Sequence, residues 1–173
     1  MTVLDRIRTT DTATNLRAGV LVLAAVAIAG TAVELATERH WNGVVQLVPW
    51  FALAALAASW VLTAWRPRPA SLSAARVLAA LVLLASLYGI WEHLESNLNA
   101  GWLDAVYSAG WESLSAGTRW WYAITKTVGA APPLAPGILA QAALLVMLST
   151  WRHPAMTDLD RCPQTGDGVR PPG

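Results

Sequence analysis

Four long apolar blocks, separated by polar connections, constrain this chain more than any other feature of its sequence. The blocks run over residues 18–36, 44–65, 77–91 and 134–151. Each is near the roughly 20 residues that an α-helix needs to cross about 30 Å of hydrocarbon. Charged residues make up only 13% of the chain, against about 25% in soluble domains. The pattern predicts an all-α protein, an integral membrane four-helix bundle.

We expect one transmembrane domain over residues 1–156, with spans at about 18–38, 44–65, 77–97 and 134–151. The polar residues 1–16 predict a short frayed or interfacial segment before the first span. The first block is long for a signal peptide, so we expect it to be retained. Residues 157–173 are rich in Asp, Gly and Pro, which predicts a disordered cytoplasmic tail that contains the only cysteine, Cys162.

Basic residues are distributed unevenly among the connections, and this predicts the topology. Nine of the twelve flank the inner ends of the blocks: Arg6, Arg8, Arg17, Arg66, Arg68, Arg76, Arg152, Arg161 and Arg170. The positive-inside rule then places both termini and the 66–76 loop in the cytoplasm. We expect a bacterial cytoplasmic membrane protein whose partners are the lipid bilayer and other membrane subunits or a second copy, and not nucleic acid.

The connection over residues 98–133 is predicted to lie outside and is rich in tryptophan. Apolar residues at 103, 106, 107, 110, 111 and 114 have helix-like spacing. An amphipathic helix on the outer membrane surface is therefore expected, followed by a second short helix.

Polar landmarks repeat between the two halves of the sequence. Leu47-Val48-Pro49 aligns with Leu134-Ala135-Pro136, and Arg17 and Glu34 then correspond to Arg76 and Glu92. The alignment predicts two repeated transmembrane hairpins, related by an axis along the membrane normal.

Acidic and histidine side chains cluster at the outer ends of the first and third spans. Carboxylates and imidazoles on facing helices are the ligands of Zn, Mn or Fe sites in helical bundles. The sequence therefore offers six candidate metal ligands: Glu34, Glu38, His40, Glu92, His93 and Glu95. Glu92 and His93 are adjacent, however, and so diverge by about 100° around the helix, unlike a Glu-x-x-His pair.

Three other interpretations of this cluster stay open. His40 and His93 could be axial ligands of a haem. The cluster could instead be the entry of a proton or cation path, with further intramembrane polar residues nearby or deeper: Tyr88, Asn97, Gln46 and Gln141. In the third interpretation, Glu34, Glu92 and His93 hydrogen-bond to one another and to the loop above, and so lock the bundle together.

Motifs of conventional enzymes are absent from the sequence: it has no Gly-rich phosphate loop, no nucleophile elbow and no Cys-x-x-Cys pair. We therefore expect an accessory or structural component of a bacterial membrane complex. The alternative is a protein that handles ions, protons or divalent metals, and a haem-binding redox subunit is a third possibility.

Overall fold

The computed structural model describes residues 3–65 and 67–157, and the side chains of 12–65 and 67–156. Within these residues the chain is all-helical, without strands. The α-helices are α1 (Val3–Thr37), α2 (Val48–Ala64), α3 (Pro69–Ala100), α4 (Ala116–Ile124), α5 (Ala135–Ser149) and α6 (Pro154–Thr157). Short 3-10 helices cover Val45–Leu47, Gly101–Leu103 and Ser108–Ser113. Residues 158–173, which include the predicted tail and Cys162, lie outside the described residues.

Three helical segments are long and apolar enough to cross a membrane: Thr12–Thr37, Val45–Ala64 and Pro69–Leu103. The fourth predicted span, 134–151, is shorter than expected, because α5 has only 15 residues and rises about 22 Å. It ends at Ser149 because the backbone turns there, and Arg152 has a left-handed φ of 46°. Length and composition therefore support three spans directly.

Two helices begin earlier than the sequence predicted. Helix α1 already starts at Val3, so residues 3–16 are helical and not frayed, and their interfacial placement stays a prediction; no Gly or Pro interrupts the chain there. Helix α3 starts at Pro69 rather than at 77. Proline is favoured in a first helical turn, and Ser71 accepts a hydrogen bond from the Arg68 N–H at 2.8 Å.

The long connection between α3 and α5 contains short helices, but the predicted amphipathic helix near 103–114 is not an α-helix. The carboxylate of Asp104 accepts hydrogen bonds from the backbone of Val106 and Tyr107. This Asx turn competes with α-helix formation, and the segment forms two 3-10 helices instead. The expected second helix is α4, which Ser115 caps by accepting a hydrogen bond from the Thr118 N–H at 3.1 Å.

Helices α2 and α5 each pack against both long helices, α1 and α3, and against each other. Small side chains fill much of the shared core and allow the backbones to approach closely. The buried core residues are Ala24, Leu35, Leu53, Leu56, Ala79, Val82, Leu139, Ala142, Ala143 and Val146.

Two hydrogen bonds between helices add to this apolar packing. The Ser59 hydroxyl donates to the Ala75 carbonyl at 2.8 Å and so joins α2 to α3. The Trp60 indole donates to the Leu21 carbonyl at 2.8 Å and joins α2 to α1. Helix α2 is therefore fastened to both long helices.

Candidate functional site

The six candidate metal ligands lie at the ends of two different helices. Glu34 is half-buried near the end of α1, Glu38 is exposed and His40 is half-buried beyond the left-handed Arg39. On α3, Glu92 and Glu95 are exposed, whereas His93 is half-buried.

The described residues contain no group of three or more His, Cys, Asp or Glu side chains that could hold a metal ion. His93 instead contacts the loop before α5, with its Nδ1 atom 2.7 Å from the Pro132 carbonyl oxygen. This contact agrees with one part of the locking interpretation, the bond from His93 to the loop. The metal, haem and ion-path interpretations gain no supporting contact and stay predictions.

Asn97, near the end of α3, makes three side-chain hydrogen bonds to the backbone. It is completely buried, and its amide nitrogen donates to the carbonyls of Ala123 and Ala131 at 3.1 and 2.8 Å. Its amide oxygen accepts a hydrogen bond from the Ala131 N–H at 3.0 Å. One α3 side chain thus fixes both ends of the turn that leads from α4 towards α5.

Aromatic side chains complete a folded cap over the end of α3. Trp111 is 1% exposed and lies against Gly101, where any Cβ atom would overlap its indole ring. The Trp91 and Trp120 rings have centroids 5.6 Å apart, which ties α3 to α4. We call this region, residues 101–131 with Asn97, the outer cap, after the side of the membrane on which the sequence predicts it to lie.

Two arginines meet the opposite end of α5. Arg76 Nε donates to the Thr150 hydroxyl at 2.9 Å, and its Nη2 donates to the Thr150 carbonyl at 2.6 Å. Arg17 Nη2 donates to the Arg152 carbonyl at 3.0 Å. The last carbonyls of a helix lack partners within it and carry partial negative charge. Arg76 therefore stabilises the end of α5, and Arg17 holds the turn that follows it.

His153 lies beside these arginines. Its half-burial, together with the positive charges of Arg17 and Arg76, lowers the pKa of the imidazole from its ordinary value of 6.5. Its Nδ1 accepts a hydrogen bond from the Ala155 N–H at 3.2 Å, a bond that requires this nitrogen to be unprotonated. The geometry favours the neutral imidazole.

The remaining predicted polar residues have separate environments. Gln46 accepts a hydrogen bond from the Asn42 N–H at 2.8 Å and closes the turn before α2. Tyr88 is exposed on α3, one helical turn before Glu92. Gln141 is exposed in the middle of α5, and among the described residues no hydrogen bond to its side chain is formed.

Sequence reasoning used Arg17 and Arg76 only to predict the topology and missed their contacts with the chain at the end of α5. No sequence signal predicts this shared target, because a two-fold repeat would place the two arginines against different short helices. The role of Trp111 had no signal in the sequence either, because ten tryptophans occur in the chain.

Comparison of the chain with family models, with curated protein sequences and with solved structures gave no match.

Proposed function

We propose that this protein is a structural, partner-binding subunit of a bacterial cytoplasmic membrane complex. In this proposal α1, α2, α3 and α5 form a four-helix transmembrane bundle of two repeated hairpins, with both termini in the cytoplasm. The outer cap covers the external face of the bundle. The arginine-rich inner ends then follow the positive-inside rule.

The repeat is supported by helix lengths and packing. The first hairpin pairs a 35-residue helix with a 17-residue helix, and the second pairs 32 residues with 15. Both short helices pack against both long ones, as expected if a two-fold axis relates the hairpins. Arg17 and Arg76 correspond in the alignment, but both bind the chain at the end of α5, whereas an exact two-fold relation would place Arg76 at the end of α2; this pair of contacts therefore departs from the repeat.

Helix α5 is held at both ends by residues of α3, and the distance between these two contacts supports α5 as a fourth, short span. Its inner end is bound by Arg76 and the loop before it by His93, and these two α3 residues are about 25 Å apart along the helix. A membrane accommodates a segment of this length by local thinning, at fractions of a kcal/mol per Å of mismatch.

One observation carries the proposal: the polar side chains at both ends of α5 bind backbone groups that hold the helices together. His93 and Asn97 bind the chain before α5, and Arg17 and Arg76 bind the chain after it. Of these four side chains Asn97 is fully buried, and a buried polar group whose hydrogen bonds are satisfied makes a bundle rigid and specifies one packing. These residues therefore serve architecture, and we assign function to the exposed surfaces of the rigid bundle.

Two substitutions on α3 distinguish a structural subunit from an ion-handling or metal-binding protein. Asn97→Ala should lower the melting temperature in detergent, whereas Glu92→Gln, at an exposed position, should leave it nearly unchanged. Neither variant should alter metal content, measured by elemental analysis of chelator-free preparations. A stoichiometric transition metal that is lost in Glu92→Gln would overturn the proposal.

Topology and partners can be tested in cells. Reporter fusions after Arg68 and after residue 157 should both read as cytoplasmic, and a fusion after Glu112 should read as external. Affinity purification after in-membrane cross-linking should recover the chain within a larger membrane assembly. An external reading after Arg68 would contradict the proposed arrangement.

A further inference from the structure

The outward face of α5 combines exposed apolar residues with one exposed amide. Side chains that are at least partly exposed recur every three or four residues along it: Leu134, Ile138, Gln141, Leu144 and Leu148. Gln141 lies at the centre of this set, both around the helix and along it. We call these five residues, together with Gly137, the α5 face.

Gln141 is the exception on this face because its carboxamide has two donors and an acceptor. Within the described residues, no other side chain or carbonyl contacts it through a hydrogen bond. If α5 crosses the membrane as proposed, Gln141 lies near the middle of the hydrocarbon. Leaving such a group without a partner in an apolar medium costs several kcal/mol.

Gly137 lies one helical turn before Gln141 and leaves space for a close approach. A Cβ atom added at this glycine would meet nothing within 4 Å. A small residue allows two membrane helices to approach closely, and glutamine side chains hydrogen-bond between helices. Gly137 and Gln141 together therefore suit a helix that packs against α5 from outside the bundle.

We propose that a second copy of this chain binds the α5 face, so that the protein forms a two-fold symmetric dimer. This inference rests on the membrane placement in the proposed function. It identifies a second copy of the chain as a partner of the structural subunit. The carboxamide is complementary to itself: Gln141 of each copy donates its amide N–H to the carbonyl oxygen of the other. A two-fold interface brings the same residue from both copies together, so one exposed glutamine at its centre is satisfied without any other polar group.

Cysteine cross-linking in native membranes tests the interface directly. The chain carries one cysteine, Cys162, so the background variant is Cys162→Ser. In that background, Gln141→Cys should form a disulfide-linked dimer under mild oxidation. Leu84→Cys, on the exposed face of α3 where the leucine is 63% exposed, is the matched control and should stay monomeric.

The glutamine itself is tested by energy-transfer measurements of dimerisation in detergent or vesicles. Gln141→Leu should weaken the dimer about 5- to 30-fold, as expected for one lost interhelical hydrogen-bond pair. Gln141→Asn should keep most of the affinity, and Gly137→Leu should weaken it by obstructing the approach without disturbing the fold. Unchanged dimerisation in Gln141→Leu would overturn the assignment.

Failure of this inference can be told apart from failure of the proposed function. Resistance of the chain to alkaline extraction tests membrane integration independently of any dimer. If the chain is integral but Gln141→Cys gives no dimer, or cross-links only to a different membrane protein, the second-copy assignment is wrong and the structural-subunit proposal stands. If the chain is extracted, both are wrong.

Discussion

Gly129 presses against Asn97 so closely that no other residue fits at that position. A Cβ atom on Gly129 would overlap the Asn97 amide oxygen and lie 2.6 Å from the Asn97 Cα atom. Gly129 also has a φ of 77°, which side chains rarely adopt. The turn and the buried amide therefore depend on each other, and together they hold the outer cap on α3.

Gly129→Ala and Asn97→Ala should each lower the free energy of unfolding by about 2–4 kcal/mol. The alanine at 129 is strained and overlaps its neighbour, and the loss of the Asn97 amide leaves buried backbone groups without partners. Thermal unfolding in detergent, followed by tryptophan fluorescence, measures the change. Asn99→Ala is the matched control, because Asn99 is exposed on the same helix; equal losses at 97 and 99 would contradict the prediction.

Arg76→Met should destabilise the protein by about 1.5–3 kcal/mol, since it removes charged hydrogen bonds to Thr150 and a cation from the end of α5. Arg76→Lys should recover part of this loss, because lysine restores the positive charge but lacks the planar guanidinium group with its several donors. Arg17→Met should cost less, because its two bonds, at 3.0 and 3.5 Å, are longer overall. Chemical denaturation in mixed micelles gives the ranking, and Arg119→Met serves as the control.

Two helical glycines should respond in opposite ways to alanine. A Cβ atom at Gly19 would meet nothing within 4 Å, whereas one at Gly89 would lie 3.2 Å from the Pro136 Cβ atom. Gly19→Ala should therefore stabilise the protein by up to about 1 kcal/mol through helix propensity. Gly89→Ala should gain no such stability, because its Cβ atom would press against Pro136 at the start of α5. Melting temperatures of the two variants, measured side by side, check the contrast, which disappears if Gly19 packs closely against another helix.

The helical fold was predictable from the sequence because hydropathy alone dictates long apolar helices in a membrane. Helix ends were less predictable, since they depend on local turns such as the Ser71 contact with Arg68. Helix α5 illustrates the limit: its apolar block runs to Trp151, yet hydrogen bonds from Arg76 and Arg17 favour a turn at Thr150. Those bonds join residues more than seventy positions apart.

The sequence named the candidate polar residues, but it did not distinguish their environments. Asn97 and Gln141 are both amides within apolar helices, and nothing in their flanking residues distinguishes them. Packing alone decides that Asn97 is buried under the outer cap, whereas Gln141 is exposed. The sequence singled out Glu92 with His93, but adjacent helical residues point in different directions; accordingly Glu92 is exposed and His93 reaches Pro132.

Acid should weaken the inner end of the bundle through His153. Its pKa is lowered in the folded protein by partial burial, by Arg17 and by Arg76, whereas the unfolded chain keeps a pKa near 6.5. Below that pH the unfolded chain binds a proton that the folded protein does not. The free energy of unfolding therefore falls as the pH drops through 6.5, and levels off once the folded-state pKa is passed.

Replacing the imidazole should remove this part of the pH dependence. We expect His153→Gln to lose less stability than the original chain between pH 7.5 and pH 5, measured as denaturation midpoints in the same detergent. Arg17→Met should have an intermediate pH dependence, since one of the two nearby cations is gone and the pKa of His153 moves back towards 6.5. Identical slopes in all three proteins would show that carboxylates elsewhere account for the acid sensitivity. A steeper slope in His153→Gln would mean that protonated His153 stabilises the end of α5, which is the opposite of the expected sign.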